Sequence, residues 1–418
     1  MLEERWRTVV ARFRNDLAVH EVATGRSWTF AELAAAADAL PVPSEPILFP
    51  VGTGVGFLLT VLQAWRHGRI LCPLEPNQAI PELPTPPSPV AHLKFTSGSS
   101  GRPRAVALTE AQIAADADQI VRTMRLDPSQ PNLGVLSLAH SYGYSNLVTP
   151  LLLHGIPLTL AASALPAALL EAARNHDRIT LPGVPALWRM WHEADSIPGN
   201  VRLAISAGAP LPHTLERDVL ERRGLKIHNF LGASECGGIA FDRSDDLRPD
   251  GAGVGTAMDG VRIAASEEGC LVVRSPAVAE CYWPQAEPSL RGGSYQSADL
   301  ISIDSDGVLR ILGRAGDVIN VAGRKVTPDV VEQALLHHHA VADCLAVGIP
   351  DDNGRGEAIG IAYVLRSPAS ESDLRAFLTR TLPAWQVPRQ WWARPDLGVD
   401  GRGKRSRIEW RRRLLAGN

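Results

Sequence analysis

The residues best suited to chemistry fall in one short stretch. From Thr96 to Ala105 the chain reads TSGSSGRPRA, with three serines, one threonine, two glycines and two arginines, between apolar runs. Glycines let a backbone approach a ligand closely, and successive N–H groups can point inward as an anion nest. Arg102 or Arg104 would add positive charge. Leu93–Lys94–Phe95 reads as the end of a strand. The residues from Leu108 to Met124 read as a helix, with Thr109 and Gln112 as a capping box and Ile113, Ala117, Ile120, Val121 and Met124 on one face. The stretch is therefore expected to join a strand to a helix N-terminus, where phosphate is favoured. Composition alone leaves open a phosphate cradle or a solvated Ser/Gly turn.

Two other patterns miss their chemistry. Gly398, Gly403 and Lys404 approach G-x-x-x-x-G-K-[ST], but Arg405 stands where a Mg²⁺-binding hydroxyl belongs. GASECGG, residues 232–238, misses the G-x-S-x-G elbow because Cys236 replaces its last glycine. A serine hydrolase acting through Ser234 remains an alternative. His337 to His339 have no metal-ligand partner in view.

These residues need a large scaffold, and 418 residues suggest two or three domains. A hydrophobic share of 45% with 21% charged residues indicates a folded globular chain, and a net charge of −3 gives no reason to expect nucleic acid. The five cysteines, Cys72, Cys236, Cys270, Cys281 and Cys344, are scattered without a Cys-x-x-Cys. That reads as a reduced, cytoplasmic protein with neither disulfides nor structural zinc. The first residues form a charged amphipathic helix and not a signal peptide, and no apolar stretch is long enough to span a bilayer.

Strand-like runs at Ile156–Ala161, Val201–Gly208 and Leu225–Gly232 alternate with helical spacing in ALLEAARNH and HTLERDVLERR. Such alternation predicts a mostly parallel α/β sheet. From Gly251 to Arg314 short strands and glycine turns suggest a small β-rich subdomain. After GRAGD a compact α+β domain begins, with Thr327 as N-cap and Pro328 in the first turn of a helix.

A series of motifs in one order gives these pieces a common meaning. FTSGSSGRPRAVALT resembles the phosphate loop of the adenylate-forming superfamily: acyl- and aryl-CoA ligases, peptide-synthetase adenylation domains and luciferases. LSLAHSYGYSN is similar to its gating segment, LAISAGAPL and HNFLGASE to its adenine-binding strand ends, and SYQSADL to its ribose-binding aspartate motif. GRAGDVINVAGRKVTPDVVE resembles its hinge motif and GRGKRSR its C-terminal lysine motif. The resemblance runs from about SWTFAEL to Lys404. It implies an α/β fold: a large N-terminal domain (1–313) with an αβαβα layered core and a small β-rich subdomain, then a small, mobile α+β C-terminal domain (314–418).

It also implies a two-step reaction in which a carboxylic acid and ATP form an acyl-adenylate and pyrophosphate, and a thiol then displaces AMP. Thr96, Ser97, Gly98, Ser99, Ser100 and Gly101 would hold the β- and γ-phosphates, with Arg104 where the family usually keeps lysine. Ser234 and Glu235 would contact the α-phosphate and Mg²⁺, Glu235 as the metal ligand. Gly208, Ala209, Pro210 and Asn229 would edge the adenine, and Leu231 stands where the family stacks an aromatic on it. Asp299 would accept both ribose hydroxyls, with Arg314 beside it. Lys404 would reach the substrate carboxylate and the α-phosphate bridging oxygen, and His140 would gate the acyl pocket. Gly316 occupies the hinge position, where Asp or Lys is usual, and Ala298 replaces the glycine before the ribose aspartate.

Length is the largest departure. After Asn77 only a short Pro-rich connector precedes the phosphate loop, so the first subdomain (about 1–90) is a shortened one. The acyl pocket would be drawn from His140–Asn146, Gly183–Pro185, Ser206–Gly208 and Gly237–Ala240, which suits an aryl or medium acyl acid. No Asp is placed to catch an α-amino group. The acceptor is expected to be CoA, with a phosphopantetheine-bearing acyl carrier protein as the alternative and a degenerate, non-catalytic nucleotide binder as a second. The tail holds Arg402, Lys404, Arg405, Arg407, Arg411, Arg412 and Arg413 against Glu409 alone, either a solvated surface or a stripe that steers a phosphorylated thiol.

Overall fold

Short apolar runs bounded by glycine or proline form strands, and the amphipathic segments between them form helices. In the computed structural model, residues 1–96, 104–249, 253–351, 357–398 and 406–416 are described. They divide into two compact units. The first comprises Met1–Ala264, Val272–Gln296 and Ile303–Arg310, and the second Ala265–Leu271, Ser297–Ser302 and Ile311–Asn418.

A five-stranded sheet of the first unit carries the Ser/Gly-rich stretch. Val90–Thr96 (β1) pairs antiparallel with Arg104–Thr109 (β2), with Thr96 opposite Arg104. The stretch therefore joins the two strands of a hairpin, which corrects the strand-to-helix expectation. Ala105 to Leu108 form an unbroken apolar run, each at most 1% exposed. Such a run has no period that separates a strand from a helix. Pairing decides it, with β1 on one side and the strand Cys281–Trp283 on the other. The helix Glu110–Met124 (α1) follows, with both halves of the Thr109–Gln112 capping box formed. Its buried side holds Ile113, Ala117, Ile120 and Met124, and also Asp116, Gln119 and Thr123. These polar groups are bonded: Gln119 Nε2 donates to Ser275 Oγ at 2.9 Å, and Asp259 N donates to Thr123 Oγ1 at 3.0 Å. Residues 75–89, the Pro-rich connector, contain no helix or strand.

The larger sheet of this unit has the parallel core that the alternation predicts. Ile179–Gly183, Val201–Ser206 (β3) and Ile227–Ala233 (β4) run parallel, with Ser206 in register with Asn229. β4 then turns back into Gly237–Phe241 (β5), antiparallel and with a register shift at Leu231/Gly232. Trp188 and Trp191, both fully buried with ring centroids 5.2 Å apart, pack under β3 with Leu181, Ala204 and Leu215. An ion network lies behind β4. Glu216 of His213–Arg223 (α2) has no exposure and accepts from Lys226 Nζ and Arg248 Nε, each at 2.7 Å. Lys226 Nζ also donates to Asp242 Oδ2 at 2.5 Å.

The second unit is α+β, as expected. Val341–Pro350, Glu357–Leu365 and Gln390–Ala393 form a sheet, antiparallel then parallel. Pro328–Leu336 (α3) and Glu371–Thr381 pack on it around Val331, Leu335, Leu374 and Leu378. Thr327 occupies the N-cap of α3, but its side chain makes no capping hydrogen bond. Among the described residues from 253 to 314 there are strands and no helix.

The basic tail is less uniform than its composition suggests. Arg407 opens the helix Arg407–Leu415 (α4) and is only 20% exposed. Its guanidinium donates to Asp317 at 3.0 Å and to both oxygens of Glu332 at 2.9 Å, with Asp329 Oδ2 at 3.4 Å. Arg411 pairs with Glu357 at 3.2 Å. Arg407 is thus a structural cross-link and no part of a steering stripe, which narrows the expected basic surface.

Removing one partner from a buried ion network leaves uncompensated charge. Glu216→Ala should therefore cost about 3–5 kcal/mol, read as a lower urea midpoint at unchanged slope.

Candidate active site

The tight turn between β4 and β5 presents Ser234 and Glu235. Glu235 is 9% exposed, and its backbone carbonyl accepts from Ala279 N at 2.8 Å. A carboxylate so far from water needs partners. Tyr282 Oη, on the strand paired to β2, donates to Glu235 Oε1 at 3.0 Å. The guanidinium carbon of Arg104, first residue of β2, lies 3.9 Å from the centre of the Tyr282 ring. Arg104 Nη1 also forms an ion pair with Glu287. The result is a layered charge array: Arg104 cation, Tyr282 ring and hydroxyl, Glu235 anion. Burial, and then the negative charge of Glu235, push the Tyr282 hydroxyl well above its ordinary value, so it remains a donor.

A second wall approaches the same turn. His140 is exposed and accepts from Tyr142 N through Nδ1 at 3.3 Å, opening the helical turn Ser141–Gly143. Ser141 Oγ lies 2.7 Å from Ser234 Oγ, which brings the His140 segment beside Glu235. Buried Tyr142 fixes that segment by donating to the carbonyls of Gly183 and Ile205, each at 3.4 Å. Gly143 is required there, because a Cβ would sit 1.9 Å from the Ser137 carbonyl oxygen.

Behind the turn lies a polar chain that the sequence reading did not identify. Ser145 Oγ donates to Asp116 Oδ2 at 2.6 Å, and Gly238 N donates to Asp116 Oδ1 at 3.0 Å. Gly237 has φ +68°, and a Cβ on it would fall 2.0 Å from Asp116 Oδ1. Lys94 Nζ approaches Ser145 Oγ at 3.4 Å. Burial pushes the Lys94 ammonium below its ordinary value, while Asp116, and more weakly Cys236 and Glu235, oppose that shift. A lysine inside the otherwise strand-like run AHLKF was the one available signal, since lysine is rarely buried without a task.

The residues expected to edge the adenine lie at two neighbouring strands. Gly208 (φ +85°), Ala209 and Pro210 are exposed just beyond the carboxyl end of β3. Asn229, 4% exposed, and half-buried Leu231 lie on neighbouring β4. Ligands of parallel α/β sheets bind beyond such strand ends. Asp299 and Arg314 fall in the second unit, where Arg314 Nε donates to Asp299 Oδ1 at 3.0 Å. Thr96 ends β1, and Ser97, Gly98, Ser99, Ser100, Gly101 and Lys404 lie outside the described residues.

Residues 54–283 match the AMP-binding enzyme family, and residues 330–404 match the AMP-binding enzyme C-terminal domain. The chain belongs to the AMP-binding enzyme family. It is similar to the feruloyl-CoA synthase of Amycolatopsis sp, 30% identical over 358 residues, or 80% of this chain and 72% of that protein. It is similar also to the sulfoacetate–CoA ligase of Cupriavidus necator, 28% identical over 362 residues, 81% of this chain and 70% of that one. Its fold resembles that of o-succinylbenzoate CoA synthetase from Bacillus subtilis in complex with its acyl-adenylate, with TM-score 0.84, 19% identity and 97% of each chain covered. This AMP-binding enzyme is an AMP-forming acid–thiol ligase of mixed α/β fold, with a larger N-terminal and a smaller C-terminal part. No helix among its described residues is long and apolar enough to cross a membrane.

Tyr282→Phe tests the charge array. A hydrogen bond to a charged group contributes about 1.5–3 kcal/mol, so acid-dependent pyrophosphate exchange should fall roughly 10- to 100-fold. The melting midpoint should also fall, by a few degrees, because the bond holds a buried carboxylate in the resting enzyme. An unchanged exchange rate would disconnect Tyr282 from the work of Glu235.

Proposed function

We propose that this enzyme converts an aryl or medium acyl carboxylic acid into its acyl-adenylate and then passes the acyl group to CoA. The observation that carries the reading is the convergence of Arg104, Tyr282, Glu235, Ser234 and Ser141 at one turn beside the strand ends. The name of the feruloyl-CoA synthase relative supports an aryl acid and CoA.

In the first step a carboxylate oxygen attacks the α-phosphorus of ATP, and the bond to the β-phosphate oxygen breaks to release pyrophosphate. Charge grows on the α-phosphate, so fixed donors and cations that favour that charge lower the barrier. Arg104 holds positive charge at the base of the segment proposed to carry the β- and γ-phosphates through Thr96, Ser97, Gly98, Ser99, Ser100 and Gly101. Ser234 offers a hydroxyl to the α-phosphate. Glu235 keeps one carboxylate oxygen on Tyr282, while its other has no hydrogen bond among the described residues. Mg²⁺ is commonly held by one or two carboxylates together with substrate phosphates, so Glu235 alone suits it. Bound there, the ion would offset the phosphate charge. Asp299 and Arg314 are proposed to hold the ribose, and Gly208, Ala209, Pro210, Asn229 and Leu231 the adenine. Lys404 is proposed to neutralise the approaching carboxylate, and His140 to border the acid.

The proposed domain division places a small C-terminal domain at 314–418, with Gly316 in the short turn Ala315–Asp317 as its hinge. A cytoplasmic location is supported by five cysteines that are all free.

Exchange of labelled pyrophosphate into ATP over a panel of acids tests the reading, and ATP binding without exchange on any acid would refute it. Lys404→Ala should lower exchange by roughly 10²–10³, the loss typical of one transition-state donor. Thiolysis of a supplied acyl-adenylate should largely survive, and equal loss in both half-reactions would reject the role of Lys404. The tail reports on the acceptor. With Arg407 committed to Glu332, the exposed positive charges on α4 are Arg411, Arg412 and Arg413. Neutralising these three should leave the KM for CoA unchanged. A carrier protein as acceptor would instead show a raised KM and a flatter salt dependence, because surface charge is screened within about 10 Å at 0.1 M salt.

A further inference from the structure

His92 and Lys94 lie two residues apart on β1 and so on the same face of it. Both are buried, at 1% and 7% exposure. An ammonium carries three donors, yet the one hydrogen bond of Lys94 among the described residues is that to Ser145 at 3.4 Å. Neither ring nitrogen of His92 and not the hydroxyl of Tyr144, itself 1% exposed, has a hydrogen-bond partner among the described residues. The His92 and Tyr144 rings meet edge-on, 4.6 Å between centroids. Buried donors without acceptors are expensive to leave unmade. A strand that needed only to pack would carry Val or Ile at both positions.

The surroundings belong to the site. Ser145, Asp116 and Gly238 form one hydrogen-bonded chain with Lys94 at its end. Ser145 and Gly238 sit in two of the segments from which the acid pocket is drawn, and Gly238 lies three residues past Glu235. We infer that Lys94 forms the polar end of the acid pocket and selects carboxylic acids bearing a neutral oxygen acceptor, such as a phenolic hydroxyl, away from the reacting carboxylate. This rests on the ligase reading. Charge separates a neutral from an anionic acceptor. Asp116 is linked to Lys94 through Ser145, and Glu235 is close enough to act on the same ammonium. A third carboxylate would leave uncompensated negative charge in a buried space, whereas a hydroxyl takes up an N–H without adding charge. His92 and Tyr144 would offer further contacts to the same oxygen.

The test is pyrophosphate exchange with three matched series, built on benzoate, cinnamate and octanoate. Each is supplied unsubstituted, with a distal hydroxyl and with a distal carboxylate, to the parent enzyme and to Lys94→Met. In the best-used series the parent should favour the hydroxy acid over the unsubstituted one by at least about tenfold in kcat/KM, because a site with a buried polar group rejects an analogue that leaves it unpaired. In Lys94→Met that preference should fall to within about twofold, over and above any loss common to all the acids. Equal loss on all acids would make Lys94 structural and overturn the inference, as would a parent preference for the unsubstituted acid or the dicarboxylate. If Lys94→Met does not fold, Lys94→Gln, which keeps an amide donor without the charge, should lower the hydroxyl preference, and a preference equal to the parent's with all acids used less well would overturn the inference. Absence of exchange with every acid, in parent and variant alike, would instead overturn the ligase reading and this inference with it.

Discussion

The first unit is organised around one constraint: a carboxylate, Glu235, taken almost entirely out of water at a turn between two strands. A buried anion must be paired or strongly hydrogen-bonded. The Tyr282 hydroxyl meets that need directly, and the Arg104 guanidinium on the face of the Tyr282 ring meets it at one remove. These three residues come from three places in the chain, and the pairing of Cys281–Trp283 with β2 is what brings two of them together. The β-sheet therefore acts as an electrostatic device as well as a scaffold.

The turn itself depends on α1. Asp116 accepts the Gly238 N–H and approaches Gly237 so closely that no side chain would fit there. Gly237 also has positive φ, a conformation that glycine adopts without steric penalty. Thus GASECGG is short of side chains at its end for a reason of packing. The same glycines that suit a pocket wall also let a helix carboxylate grip the turn that carries Glu235.

Much of this was legible in the sequence, and the legible part is local. The capping box at Thr109 and the parallel strands that pair Ser206 with Asn229 follow from spacing and turn chemistry. The motif order singles out Ser234, Glu235 and Arg104; the first two share one turn, and Arg104 meets the Tyr282 ring whose hydroxyl reaches Glu235. What could not be read depends on non-local pairing. Nothing within RAVAL distinguishes a strand from the first turn of a helix, because four buried apolar residues have no period. Tyr282 is separated from Arg104 by most of the first unit, so no spacing argument could join them. Arg407 reads as one more charge in a basic tail until Asp317, Asp329 and Glu332 close around it.

Arginine at position 104, where the resemblance implies lysine, follows from the same geometry. An ammonium is a compact, strongly hydrated point charge, whereas a guanidinium is planar and weakly hydrated on its faces. The guanidinium carbon sits over the Tyr282 ring while Nη1 pairs with Glu287, a division of contacts that a planar group with several N–H donors suits. A lysine would carry the same charge on a compact head that loses more hydration in making these contacts. Arg104 and the tyrosine therefore belong together: the ring supplies a surface that arginine can use, and the arginine places charge over the ring whose hydroxyl holds Glu235. A conservative exchange on the scale of charge alone is a specific one on the scale of shape.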